Sequence, residues 1–341
     1  MKLYKASLIA LFALTITAFP QTQIAKYAGE FLAIGVGGRP LGMGGAFVAV
    51  ANDVTAGYYN PAGLAHLNYP QISLMHDERF GNLVNYNYAA VAIPYEQDYT
   101  FSLSAIRLAI DGIYDTRNAL IDANGDGILD INNNDRLDYS KITEFSNQDW
   151  AIYLSGAKRI SDKLYIGANV KFISRSIAEY SATGIGFDIG ALYFPIENLS
   201  LGAHLQDVTT TLVAWSTGRN DLISPTLKFG GAYQLEYAGF QLIPALDFDV
   251  RFENRKYASH FNVGPVSFDP HAGFELGYKN VVAIRGGYND VKQFTVGAGL
   301  KLPKLNIDYS FARFTASEEQ RLPDSHRISL ILTIEEPSFS R

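Results

Sequence analysis

An acidic stretch near residue 120 has the residue types and spacing of a calcium-binding loop. Oxygen-bearing side chains stand at positions one, three, five and nine, and Gly127 stands at position six, where such loops turn sharply. The residues assigned to this candidate metal site are Asp122, Asn124, Asp126, Ile128 and Asp130. Position twelve is Asn133 rather than a bidentate glutamate, so the pattern predicts low affinity.

A weaker copy of the same pattern begins at Asp130. Its further candidate ligands are Asn132, Asn134 and Asp138, and it lacks the glycine. Clusters of Asp, Asn and Gly also form solvated turns without any ion, and this alternative stays open. We expect Ca²⁺ as an ion that stabilises the loop 121–138, and no cofactor that the protein requires.

The motifs of the common enzyme classes are missing from the sequence. Its histidines show no metal-ligand spacing, and it has neither a phosphate-binding glycine motif nor a Gly-x-Ser-x-Gly nucleophile turn. A formal charge of -6 without a basic cluster argues against nucleic acid as a partner. The sequence therefore predicts a protein that is not an enzyme.

The start of the chain reads as an export signal. Lys2 and Lys5 precede an apolar run that ends near Phe19, and Ala18 offers a small residue for cleavage, so residues 1–20 are interpreted as a signal peptide. The chain contains no cysteine, which excludes a disulfide framework.

From about residue 70 onward, apolar and polar residues alternate in segments of about ten residues separated by turn residues. In one segment Ile166 and Phe172 share a face, and Asn169 and Lys171 share the other. We count about fourteen such segments, at 70–78, 83–94, 98–109, 148–159, 163–176, 183–194, 199–207, 225–236, 240–251, 271–278, 281–288, 293–302, 304–314 and 326–335. This is the pattern of an all-β, antiparallel transmembrane β-barrel, with lipid outside and water inside. A soluble all-β protein is the alternative.

The connections between these segments alternate in length. Short turns occur at 161–163, 197–198 and 279–280, whereas several other connections are long, at 110–147, 208–224, 252–270 and 315–325. Outer-membrane barrels have short periplasmic turns and long extracellular loops. We therefore expect an outer-membrane protein of the Gram-negative type with both termini in the periplasm and the acidic loop 110–147 outside the cell.

The alternation also predicts which faces of the strands are apolar and which are polar. Arginine at Ile166 or Leu332, on the lipid face, should cost about 2–4 kcal/mol near the bilayer midplane, whereas Asn169→Arg on the inner face should be mild. Seven charged residues fall on inner faces, namely Lys171, Asp247, Asp249, Arg251, Arg285, Lys301 and Asp308. They are expected to form a charge network around the N-terminal segment or, alternatively, to line a substrate path.

The stretch from Gly35 to Leu64 is rich in glycine and other small residues and cannot form a strong helix or strand by itself. The spacing of Met43, Phe47 and Val50 predicts one short amphipathic helix within 42–51. Asn52-Asp53 and Asn60-Pro61-Ala62-Gly63 predict turns. Local chemistry alone is equally compatible with a glycine-rich loop of a soluble domain.

Two motifs in this stretch resemble the N-terminal signature of outer-membrane barrels related to the fatty-acid transporter FadL. The motif residues are Gly42, Met43, Gly44, Gly45, Ala46, Asn60, Pro61, Ala62 and Gly63. Within that superfamily the chain is most similar to the PorV/PorQ family associated with type IX secretion. The resemblance implies a fourteen-stranded barrel whose N-terminal segment folds inward as a plug. The domains expected are a plug at 21–68, a barrel at 69–336 and a C-terminal tail at 337–341.

The resemblance implies a role in protein transport. A PorV-like protein would act in type IX secretion by binding secreted client proteins or secretion-system subunits. The alternative is FadL-like transport of hydrophobic small molecules across the outer membrane, and a lipase-like barrel is a distant third. Most inner-face positions are small or charged, which speaks against an apolar lumen.

Overall fold

The computed structural model describes residues 29–81, 83–123, 136–252, 259–315 and 324–335. The predicted signal peptide and C-terminal tail lie outside these ranges. Eighteen strands form one antiparallel sheet. The first strand of this sheet pairs with its last strand, from Gln71 opposite Thr333 to Glu78 opposite His326, so the sheet closes on itself. The protein is a closed fourteen-stranded β-barrel, as predicted.

The strands follow one another around the barrel in chain order. They are β1 Gln71–Arg79, β2 Val84–Tyr95, β3 Tyr99–Asp115, β4 Leu120–Ile121, β5 Arg136–Leu137, β6 Thr143–Ser161, β7 Leu164–Ile177, β8 Tyr180–Ile196, β9 Leu199–Gln206, β10 Thr211–Trp215, β11 Asn220–Ile223, β12 Thr226–Tyr233, β13 Leu235–Tyr237, β14 Phe240–Arg251, β15 Phe261–Val263, β16 Val266–Tyr278, β17 Val282–Tyr288, β18 Gln293–Lys301, β19 Leu305–Phe314 and β20 Ser325–Thr333. The pair β4–β5 is a separate small sheet.

Three short strands lengthen the barrel wall rather than widen it. β10 continues the line of β9 along β8, and β13 continues β12 along β14. β11 closes a hairpin with β10, so most of the predicted loop 208–224 is strand. A fourth short strand, β15, pairs with the first residues of β16.

Apolar and polar side chains alternate along the strands, so that one face of the wall is apolar and exposed and the other is polar and buried. On β7, Ile166 and Phe172 are 42% and 44% exposed, whereas Asn169 and Lys171 are 2% and 1% exposed. From Ile166 to Phe172, every second side chain of β7 therefore faces outward and is apolar, as the period of a barrel strand requires. None of the helices in the described ranges is long and apolar enough to span a membrane.

Connections differ between the two ends of the barrel. At one end, turns of two or three residues join successive strands, as between β6 and β7 and between β8 and β9. At the other end, the excursion between β3 and β6 runs from 116 to 142. It is shorter than the predicted 110–147 because both flanking strands continue beyond the apolar band.

The chain before β1 runs inside the barrel through short helical turns. These are the α-helices Gly38–Gly42 and Ala56–Tyr59 and the 3₁₀ turns Glu30–Ala33 and Pro61–His66, and a further 3₁₀ turn, Tyr139–Lys141, lies in the long excursion. The helix predicted within 42–51 is wrong, because the helix ends at Gly42 and Gly44 and Gly45 follow with positive φ. We call residues 29–67 the plug.

Candidate functional site in the barrel lumen

The first glycine motif of the plug lies against the wall formed by β16, β17 and β18. The carbonyl of Gly42 accepts a hydrogen bond from Thr295 Oγ1 at 3.0 Å, and the carbonyl of Gly44 lies 2.8 Å from His271 Nδ1. Met43 and Ala46 are fully buried. The motif thus sits where plug backbone meets wall.

Gly44 is needed for two physical reasons. Its φ is +66°, which side chains with a β-carbon rarely adopt. A β-carbon there would also lie 2.6 Å from the backbone nitrogen of Tyr288. The adjacent Gly45 has a φ of +80° and faces the His271 ring.

The second motif ties the plug to the opposite wall. Asn60 caps the 3₁₀ turn, with Oδ1 accepting from the Ala62 amide at 3.2 Å, and Pro61 takes the first helical position. Asn60 Nδ2 donates to the carbonyls of Val48 and, across the gap to β8, Ala191. Ala62 and Gly63 are buried directly behind this cap.

Glycines in the wall make room for the plug. A β-carbon at Gly202 would lie 2.4 Å from the carbonyl oxygen of Val48, and one at Gly273 would lie 2.1 Å from that of Met43. These strand glycines let plug and wall backbones pack in direct contact. Sequence reasoning missed them, although their position on inward faces was a readable signal.

Charged inner-face residues are paired in separate clusters. In the first cluster, Lys171 Nζ lies 2.8 Å from Asp188 Oδ1 and 2.7 Å from Asp207 Oδ1, and all three side chains are buried. Asp188 also accepts from Asn169 and from the Asp207 amide. This cluster fixes β7 and β8 to the turn that follows β9.

The second cluster connects the wall to the plug. Arg285 lies 2.6 Å from Glu275 and 2.7 Å from Asp308. Arg39, from the plug, donates to both carboxylate oxygens of Glu275, at 2.8 and 3.0 Å. A bidentate guanidinium pair in a buried setting holds the plug in one register.

The third cluster surrounds Asp249. Lys228 and Arg251 both donate to Asp249 Oδ2, at 2.6 and 3.2 Å, and Arg251 also reaches Asp269 and Asp290. On the same strand as Asp249, Asp247 accepts from the Val48 amide of the plug.

One histidine, His271, belongs to this third cluster, although the histidines show no metal-ligand spacing along the sequence. Ligand atoms of Asp249, His271 and Asp290 lie within 4.8 Å of one another. Since two cationic side chains already occupy Asp249 Oδ2, the group is better described as an ion-pair cluster than as a metal centre.

Two inner-face predictions need correction. Lys301 is exposed at the end of β18 and its Nζ contacts Asn280 Oδ1 at 2.9 Å, so it takes no part in the lumen clusters. Asn169 donates to the plug carbonyl of Gly57 at 2.9 Å and is buried, so the prediction that Asn169→Arg is mild is wrong.

The partners that complete the clusters were missed from the sequence. They are Arg39, Asp188, Asp207, Lys228, Asp269, His271, Glu275 and Asp290, and a separate buried pair, Asp77 with Arg327, was also missed. The wall residues among them stand at inward positions of their strands, so the alternation marked their face. It did not identify which of them meet, because pairing depends on strand register.

A cavity of about 300 Å³ lies between the plug and the wall. Its plug side carries Leu32, Ile34, Leu41 and Tyr58, and the turn at 289–291 places it toward the end with the long connections. Its wall side is charged, with the cations Arg79, Lys171, Lys228, Arg251 and Arg327 and the carboxylates Asp207 and Asp290. The cavity therefore has one apolar and one charged side.

Most of the predicted calcium ligands lie outside the described residues, namely Asn124, Asp126, Ile128, Asp130, Asn132 and Asn134. The two described ligands, Asp122 and Asp138, flank the small sheet β4–β5. Asp138 accepts from the Ser140 amide and hydroxyl at 3.1 and 2.6 Å, and its amide donates to Ala119. The two ends of the loop 121–138 are thus held together by the pairing of β4 with β5 and by the hydrogen bond from Asp138 to Ala119.

Comparison with known proteins supports the fold. Residues 6–137 match the model of an uncharacterised protein family, UPF0164. No curated protein matches the sequence. The structure is similar to that of the toluene transporter TbuX of Ralstonia pickettii, with a TM-score of 0.59 and 14% identity over 88% of this chain and 99% of that one.

Two further solved structures are similar at the same level. The toluene transporter TodX of Pseudomonas putida has a TM-score of 0.57 and 13% identity, covering 88% of this chain and 97% of its own. A FadL homologue of Pseudomonas aeruginosa has a TM-score of 0.54 and 13% identity, covering 88% and 98%. The chain has the fold of the FadL-like outer-membrane barrels.

Proposed function

We propose that the protein provides a passage for small hydrophobic molecules across the outer membrane. The observation that carries the proposal is a plugged FadL-like barrel whose lumen keeps a cavity with an apolar plug side. A volume of about 300 Å³ suits a molecule the size of a single aromatic ring, which is the cargo of TbuX and TodX. This replaces secretion, the reading favoured by the sequence, as the leading function.

The charged side of the cavity adds a preference among such molecules. Nη1 of Arg79 is buried and has no hydrogen-bond partner within the described residues, and its nearest carboxylate, Asp77, lies 3.7 Å away. A hydroxyl or carbonyl on the cargo could accept from this group. We therefore expect aromatic cargo with one polar substituent to be taken up better than the bare hydrocarbon.

Uptake by whole cells tests the proposal. Cells of a host without FadL-like barrels would express the protein, and entry of radiolabelled toluene and of p-cresol would be timed. Ala33→Trp fills the cavity from the plug side, whereas the matched control Ala298→Trp places the same bulk on the lipid face. Ala33→Trp should abolish the added uptake and Ala298→Trp should leave it intact. Equal uptake by empty-vector cells would refute a transport role.

Binding of secretion partners is the second candidate. Strands β3 and β6, with 17 and 19 residues, project beyond the apolar band and carry the excursion 116–142, which gives a surface for protein contact. The resemblance of the sequence motifs to those of the PorV/PorQ family supports the same role. Gentle extraction from the native membrane followed by identification of co-purifying proteins tests it. A translocon subunit or a set of secreted clients would favour secretion, and a barrel that purifies alone would count against it.

A further inference from the structure

A row of polar side chains crosses the outer wall of the barrel. Strand register places His76 opposite Ile328 on one side and Asn87 on the other, and Arg107 lies between Asn87 and Trp150. His76 is half exposed, in line with the outward parity of the row. Three adjacent strands, β1, β2 and β3, therefore present a continuous polar row to the lipid, flanked by Ile328 of β20 and Trp150 of β6. We call these five residues the belt.

The position of this belt along the membrane normal follows from two cation–aromatic pairs that each join β3 and β6. Lys158 Nζ lies 4.8 Å from the centre of the Tyr99 ring, and Arg107 lies over Trp150 at 5.7 Å. The eight-residue step along β3 corresponds to about 20 Å across the membrane for a strand tilted by about 40°. This is close to the thickness of the apolar band of a barrel. The two cations therefore mark its opposite edges.

A groove lies directly beneath the belt, on the membrane side of Arg107. Ala89 and Ala105 face each other there, one outward position below Asn87 and Arg107. Leu74 and Leu330 form one flank and Trp150 the other. The whole cavity, of about 710 Å³, continues past the belt to His326 and to Glu78, whose carboxylate contacts His76. Small residues between bulky ones leave a slot of the width of a hydrocarbon chain.

Arg107 has no acidic partner among the described residues of the wall. Within the described residues, no carboxylate lies within ion-pair distance of its guanidinium, and Glu78 contacts His76 instead. A guanidinium at the edge of the hydrocarbon favours an anionic partner, and its planar fork matches a phosphate in a bidentate manner.

We propose that the belt and groove bind one anionic lipid of the surrounding leaflet. Its phosphate lies on Arg107, with His76 and Asn87 beside it, and one acyl chain lies over Ala89 and Ala105. The site is separate from the lumen. The proposal therefore does not depend on which molecules the barrel transports.

Native mass spectrometry of the full barrel in mild detergent tests this site. The probes are phosphatidylglycerol and phosphatidylcholine of the same chain length, added separately. Wild type should retain one phosphatidylglycerol in preference to phosphatidylcholine. Arg107→Gln should weaken retention about ten-fold or more, the size expected for a lost charge-assisted bidentate bond. Ala105→Leu, which fills the groove and keeps the arginine, should also weaken it.

Matched controls separate a site from general anchoring at the membrane edge. Lys158→Gln removes the cation at the opposite edge, and Ala298→Leu adds the same bulk elsewhere on the lipid face; both should retain the lipid as wild type does. Equal loss from Arg107→Gln and Lys158→Gln would overturn the proposal, as would equal retention of the two lipids by wild type. Heat-modifiable migration on gels confirms that each variant is folded.

Discussion

Removal of Lys171 should destabilise the barrel strongly. In Lys171→Met, the ammonium that neutralises Asp188 and Asp207 is lost while both carboxylates stay buried. Breaking a buried ion pair from one side costs about 3–5 kcal/mol, because an uncompensated charge remains. Asp188 keeps hydrogen bonds from Asn169 and the Asp207 amide, and Asp207 keeps one from Thr211. These remaining donors place the expected loss near about 3 kcal/mol.

Urea titration of the refolded barrel in lipid vesicles measures this loss. Lys158→Met is the matched control, since it removes a lysine from the outer edge of the barrel and should leave the free energy of unfolding nearly unchanged. The triple variant Lys171→Met, Asp188→Asn, Asp207→Asn removes the stranded charges and should recover most of the loss. If Lys171→Met cost less than about 1 kcal/mol, or if the triple variant were no better, the reasoning about the cluster would be refuted.

Four other predictions follow from the plug, the wall and the long loop. Gly44→Val should displace the plug, because φ is +66° and Tyr288 blocks the β-carbon, and faster proteolysis of the plug in the folded barrel would reveal it. Burial lowers the pKa of His66 from 6.5 to about 4, so the unfolded chain binds a proton first. Stability should therefore fall as pH drops from 6.5 toward 4, by up to about 1.4 kcal/mol per unit, and His66→Phe should flatten that slope in urea titrations. Ile166→Arg should cost about 2–4 kcal/mol in the same assay, since Ile166 faces lipid. Calorimetry should show calcium binding at millimolar ion that Asp126→Ala abolishes; no heat from wild type would disprove the loop site.

The strands could be predicted from the sequence because lipid and lumen impose opposite demands on alternate residues. The segment predicted at 163–176 is the strand Leu164–Ile177, one residue away at each end. The predicted strand ends were wrong where the contrast between lipid-facing and lumen-facing residues ends. β6 begins at Thr143 instead of near 148, and apart from Phe145 its first residues are polar on both faces because they stand beyond the apolar band.

The plug could not be predicted in detail for the opposite reason. Its residues from Met43 to Ala51 face wall on every side, so nearly all are buried and no face is singled out by polarity. Periodicity then carries no information about the helix. Similarly, alternation placed Asp249 and Arg285 on the inner face, but their partners Lys228 and Glu275 depend on strand register, which local pattern does not encode.

The distribution of contacts along the plug limits where a passage could run. From Gly38 to Asn60 the plug is bonded to the wall at Ser329, Glu275, Asp247 and Ala191, so lifting it out would break charged and backbone bonds together. The segment 30–35 differs. Within the described residues its backbone is held from inside the plug, where the Tyr58 hydroxyl donates to the Leu32 carbonyl, and its side chains line the cavity. Phe31 is the exception, since it is buried and the Arg175 guanidinium of β7 lies over its ring at 5.6 Å. A passage beside this segment would break that contact but leave the hydrogen bonds between Gly38 and Asn60 and the wall intact, so we expect the proposed transport to require a local shift of residues 30–35 and not expulsion of the plug.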